Sequence, residues 1–422
     1  MPHSFTAMPL GRIADVKMGQ APDSSTVHEG DHVGVPFLQG NSEFGAKHPT
    51  PRFSCTSPMK MCEVGDVLIS VRAPVGALNI ADRAYCIGRG LAAVRVNGLP
   101  PPLAAQMLNA AAPALRRVAQ GTTFEAISKE DLASLVVLAP PPEDREALGF
   151  ILDTLDTTIH QTAAIIEKLK QVKQGLLHDL LTRGIDANGE LRPPQSEAPN
   201  LYAESQLGFI PATWRPTRVG ELITGSPKNG IYKPAGDIGS GVLLVGQTAL
   251  TSEGSIDYSQ ARRARLLPVE VKSFGLQAGD ILVSRVFATR EGVGQPALVP
   301  PLVEEAVYES NMMRLRVARE FVEPKYLFHM LQHQSTRAWV MSRAFASNQA
   351  SINRETVDNL PLKLPPKDEQ AAILEVLRKH EARLQTEVLS LSKAAAVKRG
   401  LTDDLLTGRV RVTPLLAQPA TP

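Results

Sequence analysis

The sequence predicts an α+β protein: two mixed α/β units in a pseudo-twofold arrangement, each followed by a long helix, with the two helices pairing as an antiparallel coiled coil. Three observations predict it. Residues 127–185 align without a gap on 352–410 at a constant offset of 225, with sixteen of 59 positions identical. Val172-Lys-Gln-Gly-Leu-Leu-His-Asp-Leu-Leu-Thr182 returns as Val397-Lys-Arg-Gly-Leu-Thr-Asp-Asp-Leu-Leu-Thr407, and upstream Gly65-Asp-Val-Leu-Ile-Ser70 returns as Gly279-Asp-Ile-Leu-Val-Ser284. A period this long marks duplicated domains rather than a solenoid. Finally, in both copies apolar residues then recur at steps of three and four over about five heptads, the pattern of a coiled-coil seam.

The first unit spans 1–139. Within it Val64–Val71 and Leu91–Val96 read as strands bounded by Gly and Pro, and Leu103–Val118 as a helix. The second unit, 204–364, repeats the order with strands at Val242–Val245, Asp280–Val286 and Met313–Val317 and a helix from Pro324 to about Arg343. Pro140-Pro-Pro142 followed by Glu143-Asp144 opens the first long helix (140–185), because prolines stop the preceding segment and acidic residues suit the positive end of the helix dipole. Pro365-Pro-Lys-Asp-Glu369 opens the second (365–410) in the same way.

The seam is Leu148, Leu152, Leu155, Ile159, Ile166, Leu169, Leu176 and Leu180, answered by Ile373, Leu377, Leu384, Leu391, Ala394, Leu401 and Leu405. Thr162 and Lys173 interrupt the first stripe, and His380, Glu387 and Lys398 the second. Gly184 and Gly408 sit where C-terminal caps would. A helix of about 40 residues is about 60 Å long and cannot bury its stripe alone, so its own duplicate is the economical partner. Residues 186–203, with Asn-Gly and Pro-Pro, read as a linker, and 411–422 as a disordered tail.

With 422 residues and 43% hydrophobic composition the chain can bury two or three cores. Cys55, Cys62 and Cys86 are odd in number and lack CxxC spacing, so neither a disulfide framework nor a zinc site is indicated. No leader sequence and no membrane-length apolar run is evident, and a cytoplasmic protein without membrane association is expected. The net charge of +2 is low for a stand-alone nucleic-acid binder, so partners would share any phosphate contacts.

No phosphate-binding GxxxxGK[ST], HExxH or GxSxG motif occurs, nor a methyltransferase Asn-Pro-Pro-Tyr or Asp-Pro-Pro-Tyr segment. A non-catalytic protein with no cofactor and no metal is expected. The informative residues are those suited to base edges and phosphates. In the first unit these are Gln39, Asn41, Lys47, Arg52, Arg72 and Arg89. In the second they are Lys228, Lys233, Gln247, Arg262, Arg263, Arg265, Arg285, Arg290 and Arg343. The matched loops 121–127 and 346–352 add Thr122, Thr123, Ser347, Asn348 and Gln349, which could hold phosphates or simply cap a turn.

The combination resembles the specificity subunit of type I restriction-modification enzymes. Pro365-Pro-Lys-Asp-Glu-Gln370 is similar to that family's conserved region, Pro140–Arg145 is a looser version lacking the Gln, and Glu204-Ser-Gln-Leu-Gly-Phe-Ile-Pro-Ala-Thr-Trp214 resembles the lead-in to a target recognition domain. Ile69-Ser-Val-Arg-Ala-Pro-Val-Gly76 is similar to a segment inside that domain. The resemblance implies a non-catalytic subunit that reads a bipartite, asymmetric sequence in double-stranded DNA, one half per recognition domain. It also implies assembly with two modification (methyltransferase) subunits, and with restriction subunits where those exist. Helix length would then set the distance between half-sites. The alternative is a coiled-coil adaptor whose globular units bind proteins and not DNA.

Overall fold

The computed structural model describes residues 5–30, 33–119, 126–345 and 349–406. It divides into a first unit of residues 1–166 with 386–422 and a second of residues 167–385. The expected tail 411–422 and the cap at Gly408 lie outside the described residues.

The second unit repeats the sheet connectivity of the first. In the first unit a four-stranded antiparallel sheet runs in the order Ala14–Met18, Leu91–Val96, Val67–Ser70, Leu78–Ile80. In the second, the order Lys228–Asn229, Met312–Leu315, Ile281–Ser284, Pro296–Leu298 uses the same succession of strands. Each unit adds a parallel pair, Val35–Leu38 with Tyr85–Ile87 in the first and Ile238–Val245 with Ala306–Tyr308 in the second. Each is also closed by an antiparallel pair, Thr6–Pro9 with Val136–Ala139 and Arg215–Arg218 with Pro361–Leu364.

The repeated Gly-Asp motif has a structural cause. Gly65 and Gly279 turn the chain at φ of 84° and 90°, the left-handed region that only glycine enters freely. The buried Asp66 accepts a backbone hydrogen bond from Glu63 N (2.8 Å) and a charge-assisted one from Arg95 Nε (2.7 Å) on the neighbouring strand. Asp280 does the same with Gln277 N (2.9 Å) and Arg316 Nε (3.0 Å). Both carboxylates are therefore spent on fixing the strand that follows.

The long helices run from Arg145 to Thr182 (38 residues) and from Lys367 to Leu406 (40 residues). In the first unit Leu148 and Leu152 are fully buried, with Leu401 packed against them; in the second, Ile166's neighbour along the stripe, Leu169, and Ile373 and Leu377 are buried. Polar interruptions of the seam become reciprocal ion pairs. Lys398 pairs with Asp156 in the first unit, and Lys173 pairs with Glu381 at 2.9 Å in the second. These four residues exchange under the repeat, so the same contact fixes an antiparallel register within each unit. His380 Nε2 also meets Leu169 O at 2.9 Å.

Two local expectations differ from the structure. The helix expected over Pro324–Arg343 is broken at His333, whose extended backbone separates Pro324–Gln332 from Gln334–Arg343 and whose ring caps the second piece at Ser335 N. Residues 186–203, expected as a linker, are instead ordered against the second unit. Arg192 from this segment is buried, and its guanidinium grips Glu369 at 2.5 and 2.9 Å. Glu369 also accepts hydrogen bonds from Ile185 N (3.1 Å) and Trp214 Nε1 (3.0 Å).

That cluster explains the motif residues. Glu369 ties the end of one helix to the start of the other, with Ile210 and Trp214 buried alongside. Gln370 Nε2 donates to Pro365 O (2.9 Å) and Phe321 O (3.1 Å), closing the helix start. At the equivalent position of the first copy Arg145 Nε donates to Pro140 O (3.2 Å) and Nη1 to Gly98 O (3.3 Å), so a different residue type performs the same closure.

Candidate nucleic-acid interface

Both units build a rim at the same place, where the Gly-Asp strand ends. In the first unit Val71 N donates to Gly90 O (2.9 Å) and Val71 O accepts from Ile127 N (2.9 Å). This brings Arg72, Arg89 and the segment at Ala126 to one edge, with an isolated bridge between Arg72 and Ala126. In the second unit Arg285 takes the place of Val71. Its N–H donates to Asn311 O (2.8 Å), and its carbonyl accepts from Ile352 N (3.0 Å). Here the rim is reinforced by Val286–Phe287 pairing with Ala350–Ser351.

The rim of the second unit borders an open depression of about 440 Å³ lined by Asn229, Arg285, Phe345, Asn353, Arg354 and the acidic Glu355. Arg285 Nε is held by Ser310 O at 3.1 Å, which fixes the plane of its guanidinium. Asn229 Oδ1 is buried with no hydrogen-bond partner among the described residues. Phe345 is 58% exposed. Guanidinium donors and an exposed ring are the chemistry suited to contacting base edges and stacking on them.

Beside this depression the Lys228 ammonium sits 4.7 Å from the Phe274 ring centre and donates to Ser273 O and Oγ, both at 2.8 Å. Burial, then the nearby Arg314, Arg316 and Arg354, lower its pKa. Burial also pushes the Tyr308 hydroxyl up to about 12, and its proton goes to Lys228 O at 3.0 Å. The positive field under the rim is thus carried by residues already locked in place.

Among the first-unit candidates Gln39, Arg52, Arg72 and Arg89 are exposed, and the three arginines form no ion pair with described residues. Asn41 starts the short turn Asn41–Glu43. Lys47 reaches Asp153 on the long helix at 2.7 Å, pinning the globular part to that helix. In the second unit Lys233 pairs with Glu270 (2.8 Å), and Gln247 donates from its backbone to Glu309 (3.1 Å) and from its side chain to Val286 O.

Each member of the basic cluster Arg262-Arg-Ala-Arg265 meets a carboxylate. Arg262 meets Glu309 at 2.7 Å, Arg263 meets Glu304 at 2.6 and 3.1 Å, and Arg265 meets Asp237 at 4.0 Å. Arg290 donates to Ala344 O (3.4 Å), and the exposed Arg343 stacks 3.9 Å over Trp339. Gln349 is exposed at the rim loop. Thr122, Thr123, Ser347 and Asn348 lie outside the described residues.

Sequence reasoning passed over Asn229, Phe345 and Arg354. The repeat carried a signal for the last, since Arg354 aligns with Lys129 at the offset of 225. Each is the first residue of a short helix beside the rim, Arg354–Asp358 capped by Asn353 and Lys129–Ser134 capped by Ser128.

The sequence profile of the type I restriction modification DNA specificity domain matches residues 2–171 and 250–391. The chain belongs to this family. A protein of Methanocaldococcus jannaschii, named as a candidate type I restriction enzyme MjaX specificity subunit, is 36% identical over 186 residues, 43% of this chain and 44% of that protein. The type I restriction enzyme MjaVIII specificity subunit of the same organism is 21% identical over 303 residues, covering 71% of this chain and 67% of the relative. The chain thus matches less than half the length of the first relative and about two thirds of the second. The crystal structure of a type I restriction-modification system S subunit from M. genitalium shares the fold, with a TM-score of 0.58 over 96% of both chains at 13% identity. Among the described residues, no helix is long and apolar enough to cross a membrane.

Proposed function

We propose that this chain is the DNA sequence-recognition subunit of a type I restriction-modification complex. Each α/β unit reads one half of a bipartite, asymmetric target in double-stranded DNA, and the chain contributes no catalytic group of its own. The observation that carries this reading is the repeated rim. The framework beneath it is the same in both copies, while Val71, Arg72 and Arg89 in one are replaced by Arg285, Val286 and Ser310 in the other. Two similar faces with different side chains suit two different half-sites.

The chain assembles with two modification subunits, and with restriction subunits where they exist, in the cytoplasm. Its near-neutral charge fits an assembly in which those partners supply much of the salt-dependent attraction to phosphate. Adenine methylation needs the base turned out of the helix into a partner's pocket, so the chemistry belongs to that partner.

The test is co-expression with a cognate modification subunit and genome-wide mapping of methylated adenines. A gapped bipartite motif that disappears when this chain is deleted is the expected result. Arg285→Ala should then relax base preference in one half-site only, by about 1–3 kcal/mol of discrimination for a lost bidentate contact. A stable complex with active methylase and no such motif would favour the adaptor reading.

A further inference from the structure

The second unit contains a cleft that the rim does not use. It measures about 220 Å³ and lies where the closing strand Pro361–Leu364 meets the two helices that part at His333, with Leu207, at the turn between strands Tyr202–Ser205 and Gly208–Pro211, on its border. Leu207, Met330 and Trp339 give it apolar walls, and no acidic residue lines it. Its volume is below the roughly 300 Å³ at which pockets for drug-sized ligands begin, so the occupant it fits is small.

Three basic groups converge here from three elements. Lys363 comes from the closing strand and His333 from the helix break, while His178, on the long helix, backs His333 with Nδ1 3.3 Å from its Nε2. Lys363 Nζ has three protons and one long hydrogen bond, to Phe209 O at 3.4 Å. His333 is held as a neutral ring: Nδ1 accepts from Ser335 N at 3.4 Å and lies 2.8 Å from Ser335 Oγ, so Nε2 carries the proton that faces His178. Burial, then His178 and Lys363, lower the pKa of His333, and burial lowers that of Lys363. No carboxylate acts on either group. Basic groups gathered this way oppose one another's charged forms, and an anion placed among them favours those forms instead.

We propose that this cleft binds a small oxyanion of the phosphate type between Lys363 and His333. An ammonium, an imidazolium and the N–H of Ser335 suit an ion with several charged oxygens, because charge-assisted hydrogen bonds are the strong ones. Binding draws a proton onto His333; its Nδ1 then ceases to accept from Ser335 N, which turns to the anion. A metal ion on the two imidazoles is opposed by the positive charge of Lys363, which already acts on His333. The helix Gln334–Arg343 runs from this cleft toward Phe345 at the rim, so occupancy bears on the recognition surface. The site itself does not depend on what that surface reads.

The test is calorimetric titration of the full-length chain with sulfate, whose charge is constant from about pH 6 to about pH 8, so that any pH dependence belongs to the protein. One saturable site per chain is expected, about tenfold or more tighter at the lower pH, with a heat that varies with the buffer's ionisation enthalpy as protons are taken up. Lys363→Met should weaken sulfate by about tenfold or more, the loss of one charge-assisted hydrogen bond. His333→Gln, which keeps an acceptor for Ser335 N, should remove the pH dependence. Circular dichroism checks the fold of both variants, and the proton uptake is read on the unsubstituted chain without them. A DNA duplex separates two sources of the anion. If it is a DNA phosphodiester, Lys363→Met also lowers by about one the salt slope of DNA binding by the chain assembled with its modification subunit. If it is a free ion, that slope is unchanged while sulfate affinity falls. Absence of saturable heat with sulfate and with inorganic phosphate at the lower pH would overturn the proposal, as would equal affinity for chloride or an unaltered affinity in folded Lys363→Met.

Discussion

Replacing Glu369 by alanine should unfold the second unit more readily than any other single change at the helix start. The carboxylate is 9% exposed and takes two hydrogen bonds from Arg192, one from the Trp214 indole and one from Ile185 N. Its removal leaves the buried guanidinium without a counter-charge, a loss of about 3–5 kcal/mol. It also orphans the indole and backbone donors, at about 1 kcal/mol or more each, part of which overlaps with the first term. Against a total of about 5–15 kcal/mol this is a large fraction. Urea unfolding followed by tryptophan fluorescence reads it cleanly, because both tryptophans, Trp214 and Trp339, lie in the second unit. Arg192→Ala with Glu369→Ala should lose less than the two single changes together, giving a coupling of about 2 kcal/mol. A loss below about 1 kcal/mol for Glu369→Ala, or additive single effects, would refute the bracket described above.

Burial pushes the His329 imidazole down to about 4, with Glu381, Lys325 and Lys173 the charged neighbours. Because the unfolded chain takes up that proton near 6.5, stability should be unaffected above pH 7 and fall as pH drops through 6.5 toward 4, by on the order of 3 kcal/mol. His329→Leu should flatten that acid limb in denaturation series at several pH values; an unchanged limb would rule the histidine out. Gly184→Ala should destabilise by about 2 kcal/mol or more, since φ is +63° and a Cβ would stand 2.1 Å from Glu369 Oε1. Gly175→Ala, within the preceding helix and with nothing within 4 Å of the new carbon, should instead stabilise by about 0.5–1 kcal/mol in the same melts. Inserting one heptad into a single long helix, about 10 Å of added length, should change the spacer of the methylated motif and leave both half-sites intact. An unchanged spacer in an assembled, active complex would exclude the helix as the ruler.

The legible parts of the chain were those in which local physics repeats. Heptad spacing gave the seam because a stripe that long has one way to be buried, and Pro-Pro followed by acids marked both helix starts. The lysines that broke the stripe were legible as interruptions but not as ion pairs, since Lys173 and Glu381 are far apart in sequence. Arg192 was hidden for the same reason: surrounded by Gly, Asn and Pro it reads as linker, and only its contact with Glu369, 177 residues away, makes it core. Elsewhere in the second unit, composition marked Arg262, Arg263 and Arg265 as basic, whereas their carboxylate partners come from other strands and loops and take up much of that charge. Asn229 was missed because an unpaired amide is a property of surroundings.

The way the rim is attached bears on how such a chain can acquire a new target. Val71 and Arg285 hold equivalent positions and make equivalent bonds, one to Gly90 or Asn311 and one from Ile127 or Ile352, all through the backbone. A buried valine and a half-buried arginine therefore serve the framework equally, because the bonds that seat the loop do not pass through the side chain. The side chains that do hold the framework, Asp66 with Arg95 and Asp280 with Arg316, lie at the opposite end of the same strand. The backbone-held rim and the ion-paired Gly-Asp turn are thus separated by a strand of four residues, about 13 Å at the usual rise. If the rim reads bases as proposed, substitutions there should change the target at small cost to the fold, and those at the Gly-Asp end should abolish both together.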